Sequence, residues 1–152
     1  MQIKAPSVHD ADPIPEAARE AIDQLLASGD LFRYTAPQDA PVALLERDFA
    51  DLLGARYALA VSSCSAALFL SLKALGLPRD ARVLIPAFTF AAVPSAVVHA
   101  DCVPVLCEVG ENYRINMADF ESKLGESISA VIISHMRGHT SDMDAIMALC
   151  EA

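Results

Sequence analysis

The apolar residues of this chain follow two different rhythms, and the change comes near residue 54. Ahead of it, Ile14, Ala18, Ala21, Ile22, Leu25 and Leu26 recur at spacings of three and four, the period of a helix that covers one stripe. Asp12 followed by Pro13 predicts its start, a capping carboxylate and then a proline whose missing N–H costs nothing in the first turn. Ser28-Gly29 predicts its end. Residues 29–41 show no apolar period and read as a loop. Val42, Leu45, Phe49, Leu52 and Leu53 then mark a second amphipathic helix stopped by Gly54. Both helices are expected to be half-exposed.

Beyond Gly54 short apolar runs alternate with helical stretches. Strands are predicted at 57–61, at 82–85 before Pro86, at 103–107 and at 130–134. Helices are predicted at 65–75, where nearly every side is apolar, at 90–99 despite Pro94, at 117–124 and at 142–150. Strands this apolar, alternating with helices, imply an α/β fold with a mainly parallel sheet covered on both faces. No internal repeat or low-complexity tract interrupts the pattern.

Composition sharpens this picture. The 152 residues are 54% hydrophobic with a mean hydropathy of +0.37, richer than an ordinary soluble domain. Such a chain either packs against partner chains or forms part of a larger core. A formal charge of −9, with 11 Lys and Arg against 20 Asp and Glu and no basic cluster, argues against nucleic acid as a partner. No apolar run is long enough to span a bilayer, and the first ten residues lack the features of a secretory signal, so a cytoplasmic location is expected. Cys64, Cys102, Cys107 and Cys150 are irregularly spaced and read as reduced structural thiols. His99, Cys102 and Cys107 lie near one another in sequence, but without the paired spacing of a zinc turn no metal site is expected.

The stretch Ala60-Val61-Ser62-Ser63-Cys64-Ser65-Ala66-Ala67-Leu68 combines an apolar strand, a turn of small hydroxyl-bearing residues and an apolar helix. A helix N-terminus offers unpaired N–H groups at the positive end of the dipole, which suits a phosphate if small residues allow close approach. The competing account is that Ser63 or Ser65 simply caps the helix. A third, a reactive Cys64 thiol at a helix N-terminus, lacks a histidine nearby in sequence.

The order of four segments, SSCSAALFLSLKALGL, DARVLIPAFTFAAVPSAV, CVPVL and SHMRGHTSDMDAI, resembles the DegT/DnrJ/EryC1/StrS aminotransferases of fold type I, from about Pro41 to the end of the chain. The resemblance implies a partial large domain of the pyridoxal-phosphate (PLP) dependent fold at 41–152, preceded by a helix and loop at 1–40. It places Cys64 and Ser65 at the positions that grip the cofactor phosphate, although the first is usually glycine or alanine. It sets Phe90, the second aromatic of Pro86-Ala87-Phe88-Thr89-Phe90, against the pyridine ring, and leaves Phe88 an ordinary packing role. Ser134-His135-Met136-Arg137-Gly138-His139 falls on a strand end and glycine loop lining the site, where His135 is a candidate substrate contact and Arg137 and His139 are equally surface residues. Asp142 and Asp144 are expected to open the last helix.

The same resemblance implies transfer of an amino group from an amino-acid donor, typically glutamate, to a keto-sugar or sugar-nucleotide, by a homodimer. The alternatives are a PLP-dependent sugar dehydratase on the same fold, or a non-catalytic binding module. The lysine that bonds the cofactor and the carboxylate beside its pyridine nitrogen are expected beyond Ala152. Lys4, Lys73 and Lys123 match neither, so no catalytic residue is assigned within the chain and the chain alone is expected to be inactive.

Overall fold

A computed structural model describes residues 11–32, 37–125 and 127–151. Contacts divide the chain into two compact units, Met1–Ala60 and Val61–Ala152.

The first unit holds two helices. Helix α1 (Glu16–Ser28) begins later than the Asp12-Pro13 signal predicts: Pro15, in extended backbone, is its N-cap and makes no side-chain capping bond. The delay follows from the second proline, because a residue preceding proline is pushed out of the helical region, which keeps Ile14 outside the helix. Gly29 ends the helix with φ of 68°, as expected. Helix α2 (Pro41–Leu53) carries proline at its start and is closed by Gly54 at φ 64°. Ala50 alone is buried among its residues, and the amphipathic faces of both helices remain largely exposed. Residues 57–61, predicted as a strand, form no ladder. Tyr57 and Leu59 are 77% and 67% exposed, and without a neighbouring strand to bond, extended apolar backbone has no sheet to join.

The second unit is α/β. Helix α3 (Cys64–Ala74) leads to β1 (Arg82–Pro86), α4 (Ala92–His99), β2 (Val103–Cys107), α5 (Met117–Leu124), β3 (Ile128–Val131), a short 3₁₀ turn (Met136–Gly138) and α6 (Met143–Glu151). The three strands form one parallel sheet in the order β2-β1-β3. Alternation along β1 splits the core. Val83 and Ile85 face Leu72 of α3 and Val93, Ala96 and Val97 of α4. Leu84 faces Phe120 of α5 and Ile146 of α6. The chain crosses the sheet one way through α4 and returns through α5, and right-handed crossovers in opposite directions put their helices on opposite faces.

Local boundaries have local causes. Pro94 lies in the first turn of α4, where an N–H would have no helical acceptor. The helix starts at Ala92 rather than 90, leaving Phe90 in the preceding loop. Asn116 caps α5 by accepting from the N–H groups of Ala118 and Asp119 at 3.1 and 3.2 Å. Strand β3 sits two residues earlier than its apolar run suggests, though Ile132 N–H still donates to Leu84 O at 2.9 Å. Asp142 accepts from Ala145 N–H at 3.1 Å and so opens α6, as read from the sequence.

Candidate functional site

Parallel strands deliver their carboxyl ends to one edge of the sheet, where loops converge and ligands are met. Here that edge carries residues 87–91 after β1, 108–116 after β2 and 132–142 after β3. The start of α3 lies on the same side. At its far end Lys73 pairs with Asp101, ahead of β2, at 3.6 Å, while Ser65, Ala66 and Phe69 face Ala92, Ser95, Ala96 and His99 across a cleft of about 350 Å³. The helices α3 and α4 therefore run side by side in the same direction, and Ser65 stands next to the start of α4, two residues after Phe90.

The cap of α3 is resolved by its geometry. Ser63, in extended backbone, accepts from Ala66 N–H through its hydroxyl at 3.1 Å, and its carbonyl accepts from Ala67 N–H at 3.0 Å. Capping thus falls to Ser63 and releases Ser65 from that role. The N–H groups of Cys64 and Ser65 meet no acceptor among the described residues, and both side chains are exposed. Two free donors at the positive end of a helix, with an exposed serine hydroxyl beside them, form a donor set that fits a phosphate monoester.

Phe90 is 72% exposed. It lies outside both buried clusters of the described residues, in the loop at the carboxyl edge. Thr89 and Ser134 share a hydroxyl–hydroxyl hydrogen bond of 2.7 Å, which ties the loop after β1 to the end of the β3 segment and so fastens the neighbours of both Phe90 and His135. His135 is exposed, and its Nδ1 accepts from Ser141 N–H at 3.4 Å. An accepting Nδ1 leaves Nε2 to carry the ring's proton, a donor available to a ligand.

Two residues with no reading in the sequence complete this edge. Ser141 is buried, and its hydroxyl accepts from Ile115 N–H at 3.1 Å. Tyr113, at the tip of the turn closed by the Val109–Ile115 bridge, stacks on Phe88 with centroids 5.1 Å apart and planes at 26°. It also meets the His139 ring at 5.9 Å. Phe88 and His139 are thus engaged with Tyr113, a placement that no periodicity could announce because it depends on three loops meeting. Arg137 holds a left-handed backbone at φ 53° within the short 3₁₀ turn.

The titratable groups divide cleanly. Lys123 Nζ donates to Asp119 Oδ2 at 2.7 Å and to Leu106 O at 2.9 Å, and Glu108 N–H donates to the same carboxylate oxygen at 2.7 Å. The lysine bond, then the backbone bond, hold the Asp119 carboxyl below its usual range, and the Asp119 bond raises Lys123. Burial first, then the Asp119 charge, pushes the Cys107 thiol up to about 12. Lys73 and Lys123 are both spoken for by carboxylates, and Lys4 lies outside the described residues. Cys102 and Cys107 are buried, Cys64 and Cys150 exposed, and all four are free thiols. His99 Nδ1 bonds Ser95 O at 2.8 Å, away from the two buried thiols' own carbonyl contacts. Among the described residues no group of three His, Cys, Asp or Glu side chains is placed to hold a metal. No helix among them is long and apolar enough to cross a membrane.

A sequence profile of the DegT/DnrJ/EryC1/StrS aminotransferase family matches residues 14–152. The chain is 36% identical over 111 residues to the spore coat polysaccharide biosynthesis protein SpsC of Bacillus subtilis, an alignment covering 72% of this chain and 28% of that protein. It is 32% identical over 146 residues to the L-glutamine:2-deoxy-scyllo-inosose aminotransferase of Streptomyces lividus, covering 91% of this chain and 34% of that one. The crystallographic aminotransferase of Psychrobacter cryohalolentis superposes with a TM-score of 0.83 at 27% identity, over 91% of this chain and 35% of that one. The chain spans about a third of the length of the curated relatives it matches.

Proposed function

The chain belongs to the DegT/DnrJ/EryC1/StrS aminotransferase family, and from that membership we propose that the intact protein uses PLP to move an amino group from an amino acid of the glutamate or glutamine type to a keto carbon of a sugar or sugar-nucleotide. The observation that carries the proposal is the start of α3, where the N–H groups of Cys64 and Ser65 are free because Ser63 takes the capping role. The name of the S. lividus relative, with L-glutamine as donor and 2-deoxy-scyllo-inosose as acceptor, supports a donor of this type and a polyhydroxylated ketone as acceptor.

Each residue then has a task. Cys64 and Ser65 would bind the phosphate through main-chain N–H groups, with the Ser65 hydroxyl as a third donor. Phe90 would cover one face of the cofactor ring and keep water from it. His135, with Nδ1 occupied by Ser141 N–H, would present Nε2–H to substrate. PLP, when bound, supplies the electron sink that makes the carbon–nitrogen exchange possible. Residues 41–152 would form the N-terminal part of the cofactor-binding domain, behind a helix and loop at 1–40, in a cytoplasmic homodimer. Lys4, Lys73 and Lys123 match no position of the family's cofactor-bonding lysine, so the 152 residues by themselves would carry no turnover.

The test uses the full-length protein with PLP and single amino acids in the absence of sugar. The expected result is loss of the cofactor's visible absorption and release of the matching 2-keto acid in stoichiometric amount. A protein that binds no PLP, or binds it and releases no keto acid from any amino acid, refutes the proposal.

A further inference from the structure

Tyr113 is unaccounted for by any role so far assigned. Its backbone is left-handed at φ 62°, a conformation in which bulky non-glycine residues are rare and strained. Such strain persists only where the surroundings over-determine it. The turn that imposes it is closed by Tyr113 N–H to Gly110 O at 3.0 Å, Gly110 N–H to Arg114 O at 2.8 Å and Arg114 N–H to Asn112 Oδ1 at 3.1 Å. The consequence is a ring directed sideways along the carboxyl edge of the sheet, onto Phe88 and His139.

Those two partners are not equivalent to any other pair of neighbours. Phe88 lies two residues before Phe90 in the loop after β1, and His139 lies four residues after His135 in the loop after β3. The loop after β2 thus reaches across to both loops that carry candidate ligand contacts, and it is tied a second time to the loop after β3 through Ile115 N–H to Ser141 Oγ. We propose that Tyr113 is a positioning residue: its ring bridges the loops of Phe90 and His135 and holds them in one arrangement for the bound cofactor and substrate. This rests on the functional reading above for what is bound, but not for the bridge itself. The bridge is aromatic, so it depends on ring faces and not on the phenol hydroxyl.

The experiment compares Tyr113→Ala, Tyr113→Phe and Phe88→Leu in the full-length protein, first without cofactor. Hydrogen exchange at the amides of His139 and Ser141, bonded to Met136 O and His135 Nδ1, should quicken about tenfold in Tyr113→Ala and stay within about twofold in Tyr113→Phe, since a ring pair is of that order of energy. Phe88→Leu keeps apolar volume while removing the stack, and it decides the matter if Tyr113→Ala does not fold. With PLP added, the Ala and Leu variants should bind about tenfold more weakly and show a diminished visible circular dichroism of the bound ring, with the Phe variant restoring both. Unchanged exchange and unchanged dichroism in Phe88→Leu overturn the inference. A wild-type protein that binds no PLP but shows the expected exchange pattern overturns the functional reading and leaves the bridge standing.

Discussion

Ser65→Asp puts a carboxylate at the second position of α3, beside the two free N–H groups of its first turn. Its effects on the empty and the loaded protein have opposite signs. In the empty protein a negative charge at a helix N-terminus is favourable by about 0.3–1 kcal/mol, so the melting temperature should hold or rise slightly. Against a bound phosphate the same charge repels. Two unit charges ~4 Å apart interact by about 1 kcal/mol in water and about 4 kcal/mol at an effective dielectric constant near 20, and the exposed site lies between these limits. The lost hydroxyl donor to a charged acceptor adds about 1.5–3 kcal/mol. A combined cost of at least roughly 3 kcal/mol corresponds to PLP binding weakened about a hundredfold or more. Fluorescence titration of the full-length apoprotein measures it, with pyridoxal, which lacks the phosphate, as the control that should be nearly indifferent. PLP affinity within about threefold of wild type, or an equal loss for pyridoxal, would refute the phosphate assignment and return this turn to a simple helix start.

Three further outcomes are expected. Ser141→Ala leaves the buried Ile115 N–H without its acceptor, so the denaturant midpoint should fall by an amount equivalent to about 1–3 kcal/mol; a loss below about 0.5 kcal/mol would mean that Ser141 is not what satisfies that group. Cys107, whose folded thiol ionises at about 12 against an ordinary 9.0, keeps its proton where the unfolded chain loses it. Stability should therefore be intact below about pH 9 and decline from there toward pH 12, with a shallower decline in Cys107→Val read by urea melts; identical slopes would sink the assignment. Lys73→Ala removes an exposed ion pair with Asp101 and should change stability by less than about 1 kcal/mol and PLP affinity not at all. A colourless Lys73→Ala protein would show that this lysine holds the cofactor after all.

Elements whose signals are local were readable in advance. Strand β2 and helix α5 fall where the apolar runs place them, and the α/β alternation from residue 64 onward follows the pattern of residues. The misplacements came where a neighbour decides. Alternation at 57–61 announces a surface fit for a sheet but says nothing about whether a strand lies alongside it. Phe90 has the same composition signal as a core residue, and only the late start of α4 exposes it. The turn at Ser63, Cys64 and Ser65 is legible in the sequence as a candidate phosphate site, while the assignment of the cap to Ser63 requires the capping geometry. Tyr113 and Ser141 were silent because their partners come from other loops.

The position of β1 between its two neighbours also orders events in time. Its pairing with β2 closes a loop of roughly twenty residues, whereas its pairing with β3 closes one of roughly forty-five, and a doubling of loop length costs about 0.6 kcal/mol in closure entropy. The difference is small at equilibrium but acts in the same direction as synthesis. A ribosome that has released residues through 107 has delivered everything the β1–α4–β2 pair needs, including Val83, Ile85, Val93 and Val97, the buried centre of one face, to which Ala130 and Ile132 are added later. The opposite face waits for Phe120 and Ile146. During that interval Leu84 and Cys107 stand uncovered on a sheet already half built, a stage at which exposed apolar surface and an unpaired strand edge favour aggregation.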